Sequence, residues 1–308
     1  MESLNRAAVE LVDEAIDFAD ELGIAVHHLE NDAVVLDFGV EAPGGVEAGL
    51  LLVEMATGGL ATVDTRMGAV AGAARPFVEV TTDHPALCLL GSQPSKWPLD
   101  RAGFDGRGGG PAQLRRENAG PADVPAEEDF DLTVLTVEGT ALPGAGVAQH
   151  VAEETGVPTS GVYLVTAPLA SLAGSVAMAA RAAEVALLRL THCGLDATAV
   201  QSIAADAPVA PVAGDERTAL ARTNDAIAFG GRAHVVAETA PSDPAALVFG
   251  ADGPAAGFST VLPAADWDLD AVDRGTFAPA QVTLDVPGGA THTVGAVDPD
   301  ALAAAFAG

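Results

Sequence analysis

The stretch LTVLTVEGTALPGAGVAQHVAEETGVPTSGVYLVTA, residues 132–167, reads as strand, helix, strand, and SLAGSVAMAARAAEVALLRLTHC, residues 171–193, follows it as a further helix. The apolar runs 132–137 and 162–166 have the length and β-branched content of buried strands. Between them, 147–155 carries helical spacing, so the segment forms a βαβ-like series. Ala167-Pro168 supplies a loop and Ser171 a helix cap. The helix 171–193 is built largely of Ala, Val, Leu and Met, and a helix apolar on nearly every side is normally buried. It carries Arg181 and Glu184 three apart, hence on one face about a turn apart, with Arg189 nearer its end. Charge in such a helix is costly unless it is paired or used. Two readings fit the spacing: an ordinary ion pair, or an acid/base residue with a cation beside it.

Working outward, 3–22 places Leu4, Ala8, Leu11, Ala15, Phe18 and Leu22 at helical spacing, with Gly23 as the stop. Runs 24–29 and 33–38 read as strands joined by the turn Glu30-Asn31-Asp32. Residues 46–57 read as a buried helix that Gly58-Gly59 ends before a strand at 60–65. Such glycine pairs serve either as turns or where a ligand or helix approaches the backbone closely, which makes Gly58 and Gly59 binding candidates. The strand run 77–82 leads into Asp83-His84-Pro85, where Asp83 caps a short helix with Pro85 in its first turn. Polar groups and free N–H donors gather at such a junction, so Thr82, Asp83 and His84 are candidates too. The other six histidines show no metal-ligand spacing.

The stretch DGRGGGPAQLRRE, residues 105–117, is a poor dinucleotide fingerprint, since its third spacing is wrong. It is either a flexible loop or a backbone nest for an anion, with Gly109 and Gly110 as contacts. Residues 117–131, rich in Pro and acids, form a linker or surface loop and divide the chain into domains 1–120 and 121–308. Further on, 207–214 (APVAPVAG) is a rigid loop. The helix after it contains Arg222-Thr223-Asn224-Asp225 and ends at Gly230-Gly231. Asn224 and Asp225 are poor helix formers, so they and Arg222 are given a polar, binding role. A strand at 233–238, a hairpin of 281–286 with 291–294, and a helix at 299–306 close the chain; 244–266 is too mixed to assign.

Composition narrows the partners. Asp and Glu outnumber Lys and Arg 43 to 14, for a formal charge of −29, and Lys96 is the single lysine. Polyanion binding needs clustered cations, so nucleic acid is excluded as a partner. With 49% apolar residues and a mean hydropathy of +0.30, the chain folds despite its charge. That combination fits a protein adapted to molar salt, where a Debye length of about 3 Å screens self-repulsion. Cys88 and Cys193 sit in apolar contexts and read as buried thiols in a reducing cytoplasm. No CxxC, HExxH, Walker lysine motif or GxSxG occurs. The first residues lack the pattern of a signal peptide, and no apolar run reaches the length of a membrane span.

Seven segments together carry a resemblance: GVEAPGGVEAGL (39–50), TGGLATV (57–63), VTTDHPAL (80–87), APLASLAGSVAMAARAAE (167–184), APVAPVA (207–213), ARTNDAIAFGG (221–231) and FAPAQV (277–282). In this order and spacing the chain resembles the methenyltetrahydromethanopterin cyclohydrolases, and its acid-rich composition resembles a halophilic archaeal member. The resemblance spans residues 3 to 307. It implies an α+β fold, with two α/β domains of mixed sheets, a large pocket between them and a homotrimeric assembly. It also implies reversible hydrolysis of the methenyl bridge to the N5-formyl derivative, with no metal and no redox cofactor. Arg181 and Glu184 match the pair that flanks the reacting carbon, and Ser171 and Ser175 lie in the same segment as further substrate contacts. The chemistry suits those residue types: the amidinium carbon is already electrophilic, and one carboxylate can take a proton from water and return it to the departing nitrogen. Burial raises a Glu pKa and a neighbouring Arg lowers it, so the pair tunes that exchange. The chain departs from the family at Gly108-Gly109-Gly110-Pro111-Ala112-Gln113, where many members carry a GSGPAR-like stretch. Losing a Ser and an Arg there leaves a folate-type carrier open as an alternative to methanopterin, beside a pterin-binding protein without catalysis.

Overall fold

The computed structural model describes residues 3–116, 128–251 and 256–307. In chain order the elements begin with α1 (Leu4–Asp17), α2 (Ala19–Leu22), β1 (Ala25–His28), β2 (Val34–Asp37), α3 (Val46–Ala56), β3 (Thr62–Val70) and β4 (Ala73–Thr82). A π-helical turn, Ala86–Ser92, precedes β5 (Trp97–Pro98), β6 (Arg107–Gly109), β7 (Thr133–Glu138), α4 (Ala145–Thr155) and β8 (Val162–Ala167). Then come α5 (Leu172–Ala180), α6 (Ala182–His192), β9 (Val200–Pro208), α7 (Glu216–Gly230), β10 (Arg232–Ala237) and α8 (Phe258–Ala264). The chain closes with β11 (Gln281–Asp285), β12 (Thr291–Gly295) and α9 (Pro299–Ala307).

Two compact units emerge, each from two stretches of chain: Met1–Thr62 with Leu87–Ala177, and Val63–Ala86 with Met178–Gly308. The domain boundary expected at 120/121, and most of the linker around it, lie outside the described residues.

The first unit holds a six-stranded mixed sheet in the order β1-β2-β8-β7-β6-β5. Its middle strands β2, β8 and β7 run parallel, and β7-α4-β8 is the expected crossover unit. Side chains alternate along these strands with period two. Val34, Leu36, Phe38, Val134 and Val165 face a core under α1 and α3. Val35, Leu135, Val137, Val162 and Leu164 face a second core under α4, with buried Trp97. Burial on both faces explains why these strands read as continuous apolar runs. One polar group threads the first core: buried Asn5 donates to the Pro111 carbonyl and accepts from the Thr133 hydroxyl and the Val134 N–H. The start of α1 is held by Ser3, which accepts from the Arg6 N–H, and by Glu128, which accepts from the Leu4 N–H at 2.8 Å.

The second unit holds the sheet β12-β11-β10-β9-β4-β3, antiparallel except for the parallel pair β10–β11. Helices α6 and α7 pack on β9, and α7 also packs against α8 and α9.

Three expectations change. The helix predicted over 3–22 is interrupted at Phe18, whose backbone leaves the helical region at φ −111°. The helix predicted over 171–193 is two helices, because Arg181 donates its N–H to the Met178 carbonyl three residues back and α6 starts afresh after it. Nothing in the residue types at 178–184 marks that break. The loop predicted over 207–214 starts later, since Ala207 and Pro208 end β9, a central strand that was not expected at all. Alanine-rich QSIAADAP has little strand propensity of its own; β4 and β10 on either side supply the ladder.

Candidate active site

The break at Arg181 shapes the expected Arg181–Glu184 pair. Arg181 occupies the corner between α5 and α6, and Glu184 is the third residue of α6. The first turn of a helix presents unsatisfied N–H groups and the positive end of its dipole, a setting that favours a carboxylate. The Arg181 Nε lies 3.2 Å from the Glu184 Oε2, and their side chains are 18% and 8% exposed. Arg181 also reaches the Met178 sulfur with Nη1, at 3.7 Å. Desolvation strengthens the attraction between the two charges while penalising each of them, so the pairing holds the guanidinium against the carboxylate. A buried carboxylate with a fixed cation beside it can accept and return a proton, which an exposed i,i+3 pair has no geometry to direct.

The other expected residues separate by role. Gly58 and Gly59 both adopt left-handed backbone, φ +63° and +72°, and return their N–H groups to the Met55 and Glu54 carbonyls to finish α3. A β-carbon on Gly58 would meet Leu4 at 2.7 Å, so helix α1, not a ligand, makes the close approach there. Gly109 lies in β6, where a β-carbon would sit 2.8 Å from the Gln93 carbonyl and 3.1 Å from the Thr136 hydroxyl. Gly110, at φ +87°, donates its N–H to the Ser92 carbonyl. Gln113 is buried and donates to the carbonyls of Ser92 and Pro94, so it staples the chain to itself. Ser171 donates to the Pro168 carbonyl and accepts from the Gly174 N–H, which makes it the cap expected for α5; Ser175 is buried one turn on.

At the end of β4, the cap is Thr82 rather than Asp83: its hydroxyl accepts from the His84 N–H at 3.0 Å. Thr82 is buried, while Asp83 and His84 are exposed. The turn that follows is π-helical, a rare geometry that concentrates at functional sites. On α7, Asn224 donates to the Leu220 carbonyl and Arg222 to the Pro211 carbonyl. Asp225 is buried, and its carboxylate accepts from the Phe258 N–H at 2.7 Å, fixing the start of α8. Burial pushes Asp225 up to about 6, against the pull of the Phe258 and Ser259 N–H groups.

That shift has a sign. Its folded pKa exceeds the ordinary value of 3.8, so the folded protein keeps a proton that the unfolded chain releases between about 4 and 6. The group's contribution to stability is greatest below about pH 4 and is lost as pH rises through about 6. Asp225→Asn keeps an acceptor for the Phe258 N–H without the buried charge. The variant is expected to be more stable than the parent at pH 7.5, by on the order of 2–3 kcal/mol, and equal to it near pH 4. Denaturant melts at both pH values check this; a less stable variant at pH 7.5 overturns it.

Two residues that sequence reasoning passed over also matter. Asp37, fully buried at the end of β2, accepts four consecutive backbone N–H groups, from Gly39, Val40, Glu41 and Ala42, at 2.6–2.9 Å. The loop opening GVEAPGG is therefore wrapped around a carboxylate of the chain itself. An acid at a strand end ahead of a glycine-rich loop was the available signal. Trp267, just past the stretch too mixed to assign, offered none. Elsewhere, a hollow of about 410 Å³ on the second unit's sheet contains none of the expected residues. Its lining arginine, Arg232, is tied to Asp206, which also pairs with Arg66. Among the described residues, no three His, Cys, Asp or Glu side chains are grouped as metal ligands, and no helix is long and apolar enough to cross a membrane.

Comparison with known proteins joins these observations. The family described as Cyclohydrolase (MCH) matches residues 3–306. The chain is 47% identical over 311 residues to a methenyltetrahydromethanopterin cyclohydrolase of Halobacterium salinarum, covering 99% of each. It is 36% identical to the protein of the same name from Methanobrevibacter smithii, again over 99% of each. With that from Methanocaldococcus jannaschii it shares 34%, over 98% of this chain and 97% of the relative. A match running through both sheets and the Arg181–Glu184 corner shows that the chain belongs to the Cyclohydrolase (MCH) family.

Proposed function

We propose that this protein hydrolyses N5,N10-methenyltetrahydromethanopterin reversibly to the N5-formyl derivative, with Glu184 as acid/base and Arg181 as its partner. The observation that carries the reading is the buried 3.2 Å pair at the α5–α6 corner, in a chain that matches the family end to end. Water oxygen bonds to the bridging carbon while Glu184 takes one of its protons. As the C–N10 bond breaks, Glu184 returns that proton to N10. The remaining hydroxyl proton leaves to solvent as the formyl C=O forms, so one proton is released per turnover. The Arg181 charge disfavours the cationic amidinium and favours the neutral adduct, which helps the addition step. The reading calls for no metal or redox cofactor, because the carbon under attack is already part of a cation. It places the enzyme in one-carbon metabolism in the cytoplasm of a salt-adapted cell, as a homotrimer.

A second reading keeps the reaction and changes the carrier. The Gly108–Gln113 stretch offers no cation from its own side chains, and Gln113 is spent on backbone carbonyls. A folate-type or otherwise modified carrier fits that stretch as well as methanopterin does. Loss of the methenyl absorbance in molar salt tests both: turnover of the methanopterin substrate is expected, at a kcat/KM at least tenfold above the folate substrate. Equal or reversed preference removes the methanopterin assignment, and no turnover of either removes the hydrolase reading.

A further inference from the structure

The two ends of the Arg181–Glu184 pair are held unequally. Glu184 stands in the first turn of α6, a helix fixed along its length. Leu187 and Leu190 of that helix are buried, it packs on β9 and β10, and near its far end Arg189 donates Nε to the Ala246 carbonyl at 2.5 Å. Arg181 stands instead at the turn between two helices, and its long side chain is ordered against rotamer entropy. The contact of Nε with Glu184, taken alone, lets the guanidinium plane swing about that point. A second contact comes from the last turn of α5. Met178, 5% exposed, accepts the Arg181 N–H on its carbonyl at 3.1 Å and places its Sδ 3.7 Å from Nη1. One residue thus holds Arg181 at its backbone and at its far end. The guanidinium is bracketed by a sulfur three residues before it and a carboxylate three residues after it. The sulfur has a chemical consequence. A thioether is a weak acceptor without charge, so it orients a guanidinium without neutralising it. A second carboxylate there would cancel the charge, and an aliphatic side chain of the same size would fill the space and orient nothing.

We propose that Met178 is a positioning residue for the hydrolysis: it sets the guanidinium plane of Arg181 against Glu184 and leaves the arginine charge to act on the cationic carbon. This role rests on the cyclohydrolase reading and deepens it. Met178 acts through Arg181, so its effect belongs to the orientation of the pair in the chemical step and depends on the guanidinium being there.

The test is a double-mutant cycle on the full chain in molar salt, read by stopped-flow loss of the methenyl absorbance, with thermal melts to show that each variant is folded. Met178→Leu keeps the volume and removes the acceptor, a swap that buried sites tolerate. It is expected to lower kcat roughly five- to thirtyfold while KM stays within about threefold of the parent. Met178→Gln returns a neutral acceptor at similar reach and is expected to bring kcat back to within about threefold of the parent. In an Arg181→Ala background, with no guanidinium to orient, adding Met178→Leu is expected to change kcat less than about twofold. A Met178→Leu kcat within twofold of the parent overturns the role. So does an equal loss with and without Arg181, which marks a packing defect, or a folded Met178→Gln as slow as Met178→Leu. In each of those cases turnover by the parent, and its loss in Glu184→Gln, leave the cyclohydrolase reading standing. A parent without turnover removes that reading, and the role with it.

Discussion

Glu184→Gln is expected to lower kcat by roughly 10²–10⁴ while KM moves only a few-fold. Glutamine keeps the size of the side chain at a buried position but can neither take a proton from water nor return it. The loss should therefore appear in the chemical step rather than in binding. The Arg181 charge, 3.2 Å away in the parent, stays in place and still acts on the cationic substrate. Stopped-flow loss of the methenyl absorbance across a pH range checks both parts: the parent should show a limb from its carboxylate, and the variant should lose it. An unchanged kcat removes Glu184 from the mechanism, whatever the family match.

The second large effect is on folding. Asp37→Ala removes the only carboxylate shown to hold the Gly39–Ala42 amides, leaving four N–H groups to find water or stay unpaired. At about 1–3 kcal/mol for each group that stays buried, and with part of the loop open to solvent, the expected destabilisation is about 3–5 kcal/mol. The charge itself matters. Burial pushes the Asp37 pKa up, but the N–H groups of Gly39, Ala42, Glu41 and Val40 together outweigh it and hold the carboxyl below its ordinary 3.8. A lowered pKa means stability that is present above the unfolded value and lost as pH falls through the folded one. The parent should therefore lose more stability than the variant on going from pH 5 to pH 2. Chemical denaturation at a few pH values reads this out, and a variant within 1 kcal/mol of the parent at pH 7 would show the loop to be held by other means.

The sequence disclosed its strongly periodic parts. The βαβ series at 132–167, the hairpin at 25–37, the helix before Gly58-Gly59 and the hairpin at 281–295 all appear where alternation, glycine and turn residues placed them. It was silent where neighbours override local preference. Strand β9 is alanine-rich and exists because β4 and β10 flank it, and the break at Arg181 lies in residues that are all good helix formers. The pair at 181 and 184 was legible as a pair from spacing, but only the ordered family segments made it a candidate for the reacting pair rather than an ordinary ion pair. The glycines were legible as special and ambiguous in purpose. Gly58 and Gly109 prove to be tight contacts of the chain with itself, which spacing has no means to distinguish from contacts with a ligand. Trp267 lies beyond any periodic signal, because its backbone conformation is unusual for its residue type.

The interleaving of the two units has a consequence for synthesis on the ribosome. The β3–β4 ribbon, finished by residue 82, takes its ladder partner from β9, which ends at residue 208. At about 5–20 residues per second, the ribbon waits on the order of 6–25 s with its long edge unmatched and Val78 and Val80 uncovered. The first unit needs nothing beyond Ala177 and can close around its own sheet during that interval. The nascent chain therefore carries a folded body with an unmatched β-ribbon looped out from its middle. In molar salt, which strengthens apolar association as it screens charge, that interval is when a helper that shields a strand edge would have its substrate.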